Sequence, residues 1–240
     1  MKIVRKILKN IPFLRSLYLF TKRVFFYDNP LFYKYKFDGI ATRHNMSFIK
    51  DNDFSSLYKN ASITSGVKND FYLRIHQALW CSCLAIKIDG DFVELGTGRG
   101  LIFLAIANKL KSLNINKNIY LFDTFLPNKT DSITGEQSNN NIKSAFYAND
   151  INATKENFKI HKNVDLIQGK CPDSLKEIFP QRSSKISFIH IDLNFHEAEI
   201  NSLEYLWDFI LPGGVILLDD YANFGRDIQY RAFNNFFKKH

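Results

Sequence analysis

Apolar and polar positions follow no clean rhythm over residues 28–65, then settle into a repeating order from about Asp70 onward. The stretch FYLRIHQALWCSCLAIKI spaces its apolar residues three and four apart, which predicts a helix. A short apolar run, Phe92–Leu95, follows between an acid and a glycine, and a second helical pattern extends from about Gly100 to Leu113. The unit recurs as Ile119–Phe122, as Val164–Ile167 with a short helix near Ser174–Phe179, and as Ile186–Ile191 with a helix over Glu199–Ile210. Val215–Leu218 is a fifth apolar run, with a closing helix over Ile228–Phe237. Short, predominantly apolar strands alternating with helices predict a mostly parallel sheet covered on both faces, the doubly wound α/β class. Ligands of such sheets collect at the carboxyl ends of the strands, so functional residues should follow each apolar run.

Ahead of this core, Ile3, Val4, Ile7, Leu8 and Ile11 recur at helical spacing opposite Lys2, Arg5, Lys6 and Lys9, predicting a short basic amphipathic helix before Pro12. Residues 28–65 are rich in aromatics without a period and read as an irregular cap. The chain therefore divides into an N-terminal helix and cap or lid segment, 1–69, and a ligand-binding domain, 70–240. Asn128–Asn149, with NKTDSITGEQSNNN at its heart, resembles neither strand nor helix and reads as a lid loop.

Charge changes the picture only locally. The net charge of +8 is concentrated in residues 1–27, where Lys2, Arg5, Lys6, Lys9, Arg15, Lys22 and Arg23 meet no acid, and the remainder carries +1. The body thus lacks the broad positive field of a nucleic-acid binder. The basic segment suits peripheral contact with an anionic membrane, and equally an apolar seat on the body or on a second subunit of a homo-oligomer. Arg15 interrupts its apolar run and no small-residue cleavage site follows, which argues against a signal peptide. No charge-free stretch approaches the roughly 20 residues that span a bilayer. Cys81, Cys83 and Cys171 cannot all pair, which suits a reducing, cytoplasmic setting, and Cys81 and Cys83 read as small core residues.

The first strand runs into Glu94-Leu95-Gly96-Thr97-Gly98-Arg99-Gly100. Glycines there allow a sharp turn and close approach of a ligand, and the following helix presents N–H groups. A dinucleotide fingerprint would need glycine where Leu101 stands, which disfavours a nicotinamide cofactor. Glu94 instead offers a carboxylate to a cationic, amine-bearing cofactor, or merely satisfies loop amides. Asp123, after the second strand, stands where such folds bind ribose hydroxyls, although a lone acid there can also cap a helix. The fourth and fifth strands lead into His190-Ile191-Asp192-Leu193-Asn194 and Leu218-Asp219-Asp220-Tyr221. If these strands are neighbours, three carboxylates converge, and like charges so placed need a proton or a cation, with magnesium the simplest ion. The alternative is that Asp219 caps a helix or pairs with Arg226 and no metal binds.

Taken together, GDFVELGTGRG, YLFDTF, VDLIQGKCPDSL and FIHIDLNFHEAEINSLEYLWDFILPGGVILLDDYANFG resemble the macrocin O-methyltransferase family over about residues 70–238. The resemblance implies a class I methyltransferase that uses S-adenosyl-L-methionine to methylate a hydroxyl of a sugar or other small-molecule or glycan acceptor. It implies cofactor contacts from Glu94, Gly96, Gly98 and Asp123, with Thr97, Gly100, Thr124 and Gly169 beside them. It further implies a magnesium ion on Asp192, Asp219 and Asp220, with Asp192 accepting the acceptor's proton. Two departures stand out. Where the family commonly carries a second Asp and then a Tyr, this chain has Asn194 and His196; His196 is a spare base, a binding residue or an ordinary helix-start histidine. The strand hairpin that normally closes this fold is not expected after the helix Ile228–Phe237, the protein being naturally short or the sequence truncated, which would expose an edge of the sheet. The rival readings are a non-catalytic protein that keeps the fold for assembly, and a transferase acting on an amine, for which a metal is unnecessary.

Overall fold

The computed structural model describes residues 12–22, 33, 35–126, 150–223 and 225–240. The amphipathic helix expected over Ile3–Ile11 and the lid loop expected over Asn128–Asn149 lie outside them. The chain forms two compact units, residues 1–51 with 70–72, and residues 52–69 with 73–240.

In the first unit, helix α1 (Pro12–Lys22) starts at a proline, whose fixed φ and missing N–H suit the first helical position. Strands β1 (Tyr35–Phe37) and β2 (Ile40–Thr42) form an antiparallel hairpin. Asp38 and Gly39 between them both have positive φ, 52° and 69°, as a two-residue type I′ turn requires. Tyr35 is buried and meets the Phe37 ring edge-on at 5.1 Å; Phe37 meets Tyr72 at 5.4 Å.

The second unit opens with α2 (Asn52–Ser65), in a segment whose sequence predicts no regular element. Phe54, Leu57, Ala61 and Ser65 supply its buried stripe. The spacing is helical, but two of these four residues carry little hydrophobic signal. Helix α3 (Tyr72–Ala85) buries Ile75, Ala78, Leu79, Ser82 and Ala85, leaving Cys81 and Cys83 half-buried beside the stripe.

Strands β3 (Asp91–Leu95), β4 (Ile119–Asp123), β5 (Val164–Gln168), β6 (Ile186–Ile191) and β7 (Ile210–Leu218) form one sheet in the order β5-β4-β3-β6-β7, every pair parallel. Helix α4 (Leu101–Ser112) is buried on nearly every side, its Phe103 stacked on Phe188 of β6 and its Lys109 paired with Asp53 of α2. Helix α5 (Ile151–Asn157), which the sequence analysis does not predict, is capped by Asp150 accepting from the Asn152 amide at 2.8 Å.

Helix α6 (His196–Leu206) begins three residues earlier than expected, with Glu197 and Glu199 in its first turn, where carboxylates suit the helix dipole. Pro212-Gly213-Gly214 forms a bulge inside β7, which starts five residues before the apolar run Val215–Leu218: Ile186 pairs with Ile210 and Phe188 already with Val215. Helix α7 (Asp227–Phe237) buries Phe233 and Phe236 in the core cluster that also holds Leu203, Leu206 and Val93, and Phe236 meets Trp207 edge-on. Strand β7 is the outer strand on its side among the described residues.

Candidate active site

The strand order reverses between β3 and β6, so the two chain segments leaving these strands diverge and open a crevice at their carboxyl ends. Backbone ladders extend past the strands there: the Asp192 amide donates to Leu95 O at 2.8 Å, and the Asp219 amide to Ile191 O at 2.9 Å. Residues leaving three neighbouring strands are thereby held side by side.

The turn after β3 is left-handed at Gly96, Gly98 and Gly100, with φ of 92°, 54° and 83°. Two of these glycines are also required by space. A β-carbon at Gly96 would lie 1.8 Å from the Asp192 carbonyl oxygen, and one at Gly100 would lie 2.4 Å from the Phe158 ring. The turn is tied down from both sides. Asp123 Oδ2 accepts from the Gly98 amide at 2.7 Å while Oδ1 accepts from the Phe125 amide at 2.7 Å. From α5, Thr154 Oγ1 donates to Gly98 O and Asn157 Nδ2 to Arg99 O, each at 3.1 Å.

Glu94 closes β3 with 2% of its surface exposed, and its Oε1 lies 3.0 Å from Nδ1 of His190, which is 1% exposed on β6. Burial pushes the Glu94 carboxyl above the ordinary range, and the hydrogen bond from His190 opposes that rise. Its other oxygen, Oε2, and the Thr97 hydroxyl are buried without a hydrogen-bond partner of good geometry. An unpaired buried polar atom costs about 1–3 kcal/mol; the Thr97 hydroxyl lies near enough to the Glu94 carboxyl to hold its pKa down, and Oε2 keeps room to accept from a ligand donor. An amine-bearing cofactor fits that vacancy in the hydrogen bonding.

On the neighbouring strand ends, Asp192 and Asp219 meet carboxyl to carboxyl. Burial first, then the nearby charge of Asp219, raises Asp192 well above the ordinary carboxyl value; Arg74 opposes this, and Asp220 and Glu94 add to it. Asp219 is also raised, by burial, against the pull of Arg74 and His190. The pair therefore holds a proton beyond the pH at which isolated carboxyls lose theirs.

Two arginines organise the rest: Arg74, which no sequence reading singles out, and Arg226. Arg74 of α3 donates through Nη1 to Asp219 Oδ2 at 2.5 Å, across 145 residues of chain. Arg226 joins two strand ends: Nη1 donates to Asn194 O at 3.2 Å, and Nη2 to Asn194 Oδ1 at 2.6 Å and to Asp220 Oδ2 at 3.0 Å. Both residues it clamps are in the left-handed region, Asn194 at φ 59° and Asp220 at φ 53°, which costs about 1–3 kcal/mol each and persists only where neighbours enforce it. Behind the clamp, Gln229 Nε2 donates to Glu199 Oε2 at 2.9 Å and to Asp219 O at 3.3 Å.

This arrangement does not fit the expected magnesium on Asp192, Asp219 and Asp220. One oxygen of Asp219 is committed to Arg74, and Asp220 accepts from Arg226 at Oδ2 and from Asn223 Nδ2 at Oδ1. Among the described residues no group of three or more His, Cys, Asp or Glu is arranged to hold a metal ion. The acids converge as anticipated, but guanidinium groups supply the opposite charge. The sequence alternative that paired Asp219 with Arg226 has the right arginine beside the wrong acid.

The remaining expected residues divide. Thr124 lies beside Asp123, its carbonyl accepting from Gln168 Nε2 at 3.1 Å. The Gly169 amide donates to Asp123 O at 2.9 Å, and a β-carbon there would press to 2.6 Å on Ser174, so packing accounts for this glycine. His196 opens α6 with its ring 5.8 Å from that of Phe195, and no hydrogen bond joins it to the acids.

A parallel sheet with a glycine turn after its central strand, an acid after the next and carboxylates across the switch point defines the Rossmann-like class I methyltransferase fold. The macrocin O-methyltransferase (TylF) family matches residues 73–240, and the chain belongs to that family and is a methyltransferase. The fold is shared with the O-methyltransferase NovP, at TM-score 0.61 and 15% identity over 78% of this chain and 92% of NovP. It is shared as well with CalS11, described as a TDP-rhamnose 3′-O-methyltransferase of calicheamicin biosynthesis, at TM-score 0.53 and 12% identity over 80% of this chain and 86% of CalS11. No curated protein matches the chain.

Proposed function

We propose that this methyltransferase moves the methyl group of S-adenosylmethionine to a hydroxyl oxygen of a sugar-like small molecule or glycan, with Asp192 receiving the hydroxyl proton. The observation that carries this reading is the pairing across the switch point: a buried glutamate with an unsatisfied oxygen on β3, and a carboxyl of raised pKa beside it at the end of β6. In the proposed complex, Glu94 Oε2 receives the cofactor's ammonium group. Asp123 accepts from ribose hydroxyls with the lone pairs left over from Gly98 and Phe125. Gly96 lets the cofactor approach the backbone.

When bound, the sulfonium supplies an activated methyl group and a good leaving group. The acceptor oxygen forms a bond to the methyl carbon as the carbon–sulfur bond breaks, the sulfur keeps that electron pair, and the hydroxyl proton passes to Asp192. Holding the two reactants in line supplies most of the acceleration, and proton removal adds a factor of roughly 10²–10⁴. Burial and the neighbouring Asp219 carboxyl raise the proton affinity of Asp192, which favours its receiving the hydroxyl proton. Arg74 and Arg226 hold the side chains of Asp219 and Asp220 in place. The sugar-like acceptor is supported by the family and by the activity of CalS11 on TDP-rhamnose. No step is routed through magnesium, because Asp219 and Asp220 are committed to arginines.

Isothermal titration with S-adenosylhomocysteine, followed by a methyl-transfer screen over sugar nucleotides and free glycans, tests the proposal. Micromolar binding and transfer to a hydroxyl are expected; a chain that binds neither S-adenosylmethionine nor its product is not acting as proposed.

A further inference from the structure

We propose that α1 seats the protein on an anionic lipid surface, an inference separate from the chemistry of the methyl acceptor. Helical spacing over Pro12–Lys22 puts Phe13, Leu14, Leu17, Tyr18 and Phe20 on one face, and all five are exposed, Phe13 at 74% and Phe20 at 64%. Large contiguous apolar patches on a protein surface mark a binding face. The charge around this patch names the occupant. Residues 1–27 contain seven Lys or Arg and no acid, while the rest of the chain is close to neutral. An apolar helical face within a stretch of sequence rich in Lys and Arg and free of acids, with aromatic rings on the apolar side, is the pattern of a helix lying in the headgroup layer of an anionic bilayer.

The helix cannot cross. Its 11 residues span about 16 Å against a hydrocarbon core of about 30 Å, and no helix among the described residues is long and apolar enough to traverse a membrane. Nucleic acid fits the charge but not the exposed phenylalanines. A second copy of this chain fits the phenylalanines, but would bring two basic segments together without an acid in either.

The test is co-sedimentation of the full chain with vesicles of phosphatidylcholine alone and with about 30% phosphatidylglycerol added, at low and high salt. The bound fraction is expected to rise at least about fivefold with the anionic lipid and to fall with salt. The double variant Phe13→Ser/Phe20→Ser should lose most of the binding while keeping S-adenosylhomocysteine affinity, which shows that the body remains folded. Equal binding of variant and wild type, or no preference for the anionic vesicles, overturns the proposal. So does a stable dimer in solution that the double variant dissociates, because the face is then filled by a second copy. Failure of cofactor binding with vesicle binding intact would count against the enzymatic reading alone.

Discussion

The carbonyl oxygen of Asp192 lies where a β-carbon on Gly96 would have to be, 1.8 Å from that position. The glycine turn after β3 and the proposed base after β6 are therefore in backbone contact, and the crevice between them is set by the sheet rather than by a flexible loop.

Gly96→Ala forces both a clash with backbone and a φ of 92° that alanine avoids. It is expected to destabilise the protein by about 2–4 kcal/mol and to abolish binding of S-adenosylhomocysteine. Gly39→Ala, at φ 69° with nothing within 4 Å of the added carbon, should cost only about 1 kcal/mol and leave affinity intact. Thermal melts and calorimetric titration of both variants check this; equal behaviour would mean that the close approach at Gly96 is irrelevant.

Glu94→Gln keeps the shape of the side chain and the contact with His190 but removes the charge offered through Oε2. S-adenosylmethionine affinity should fall at least about tenfold, corresponding to about 1.4 kcal/mol. An unchanged dissociation constant would remove Glu94 from the cofactor site.

The raised carboxyls carry a pH signature of definite sign. Asp192 and Asp219 hold protons in the folded chain to higher pH than the ordinary value of 3.8. Between that value and their raised ones, the folded state binds more protons than the unfolded state. Their contribution to stability is thus fully present below the ordinary value and is lost as pH rises through the raised ones. Asp192→Asn should therefore raise the melting temperature by roughly 2–4 °C at about pH 8, leave it nearly unchanged at about pH 4, and lower turnover by about 10²-fold or more. A variant less stable than wild type at the higher pH would show that the Asp192 charge is compensated.

Because Arg74 and Arg226 occupy the carboxylates of Asp219 and Asp220, excess chelator is expected to leave turnover within about twofold. Collapse of activity on chelation, with recovery on adding magnesium, would mean that the arginines release their partners in the working enzyme.

Much of the site was legible along the chain. The glycine turn, Asp123 and the acids at 192, 219 and 220 stand at or just past the end of an apolar run, with Glu94 one residue from the end of its own, and in a parallel sheet that position dictates placement at one rim. The helix α5 was missed because it is a single short segment whose main signal is the cap at Asp150. The helix α2 was missed because Ala61 and Ser65 dilute its stripe.

What the amino-acid order determined by itself is local: which runs are strands, which residues follow them, and that a basic, apolar segment precedes a nearly neutral body. Periodicity and turn chemistry act over a few residues, so they are readable without coordinates. What only the tertiary structure decided is how the acids are compensated. Arg74 reaches Asp219 from 145 residues away and Arg226 binds two strand ends at once. The electrostatics of a buried carboxylate depends on distances in space that no spacing in the chain encodes.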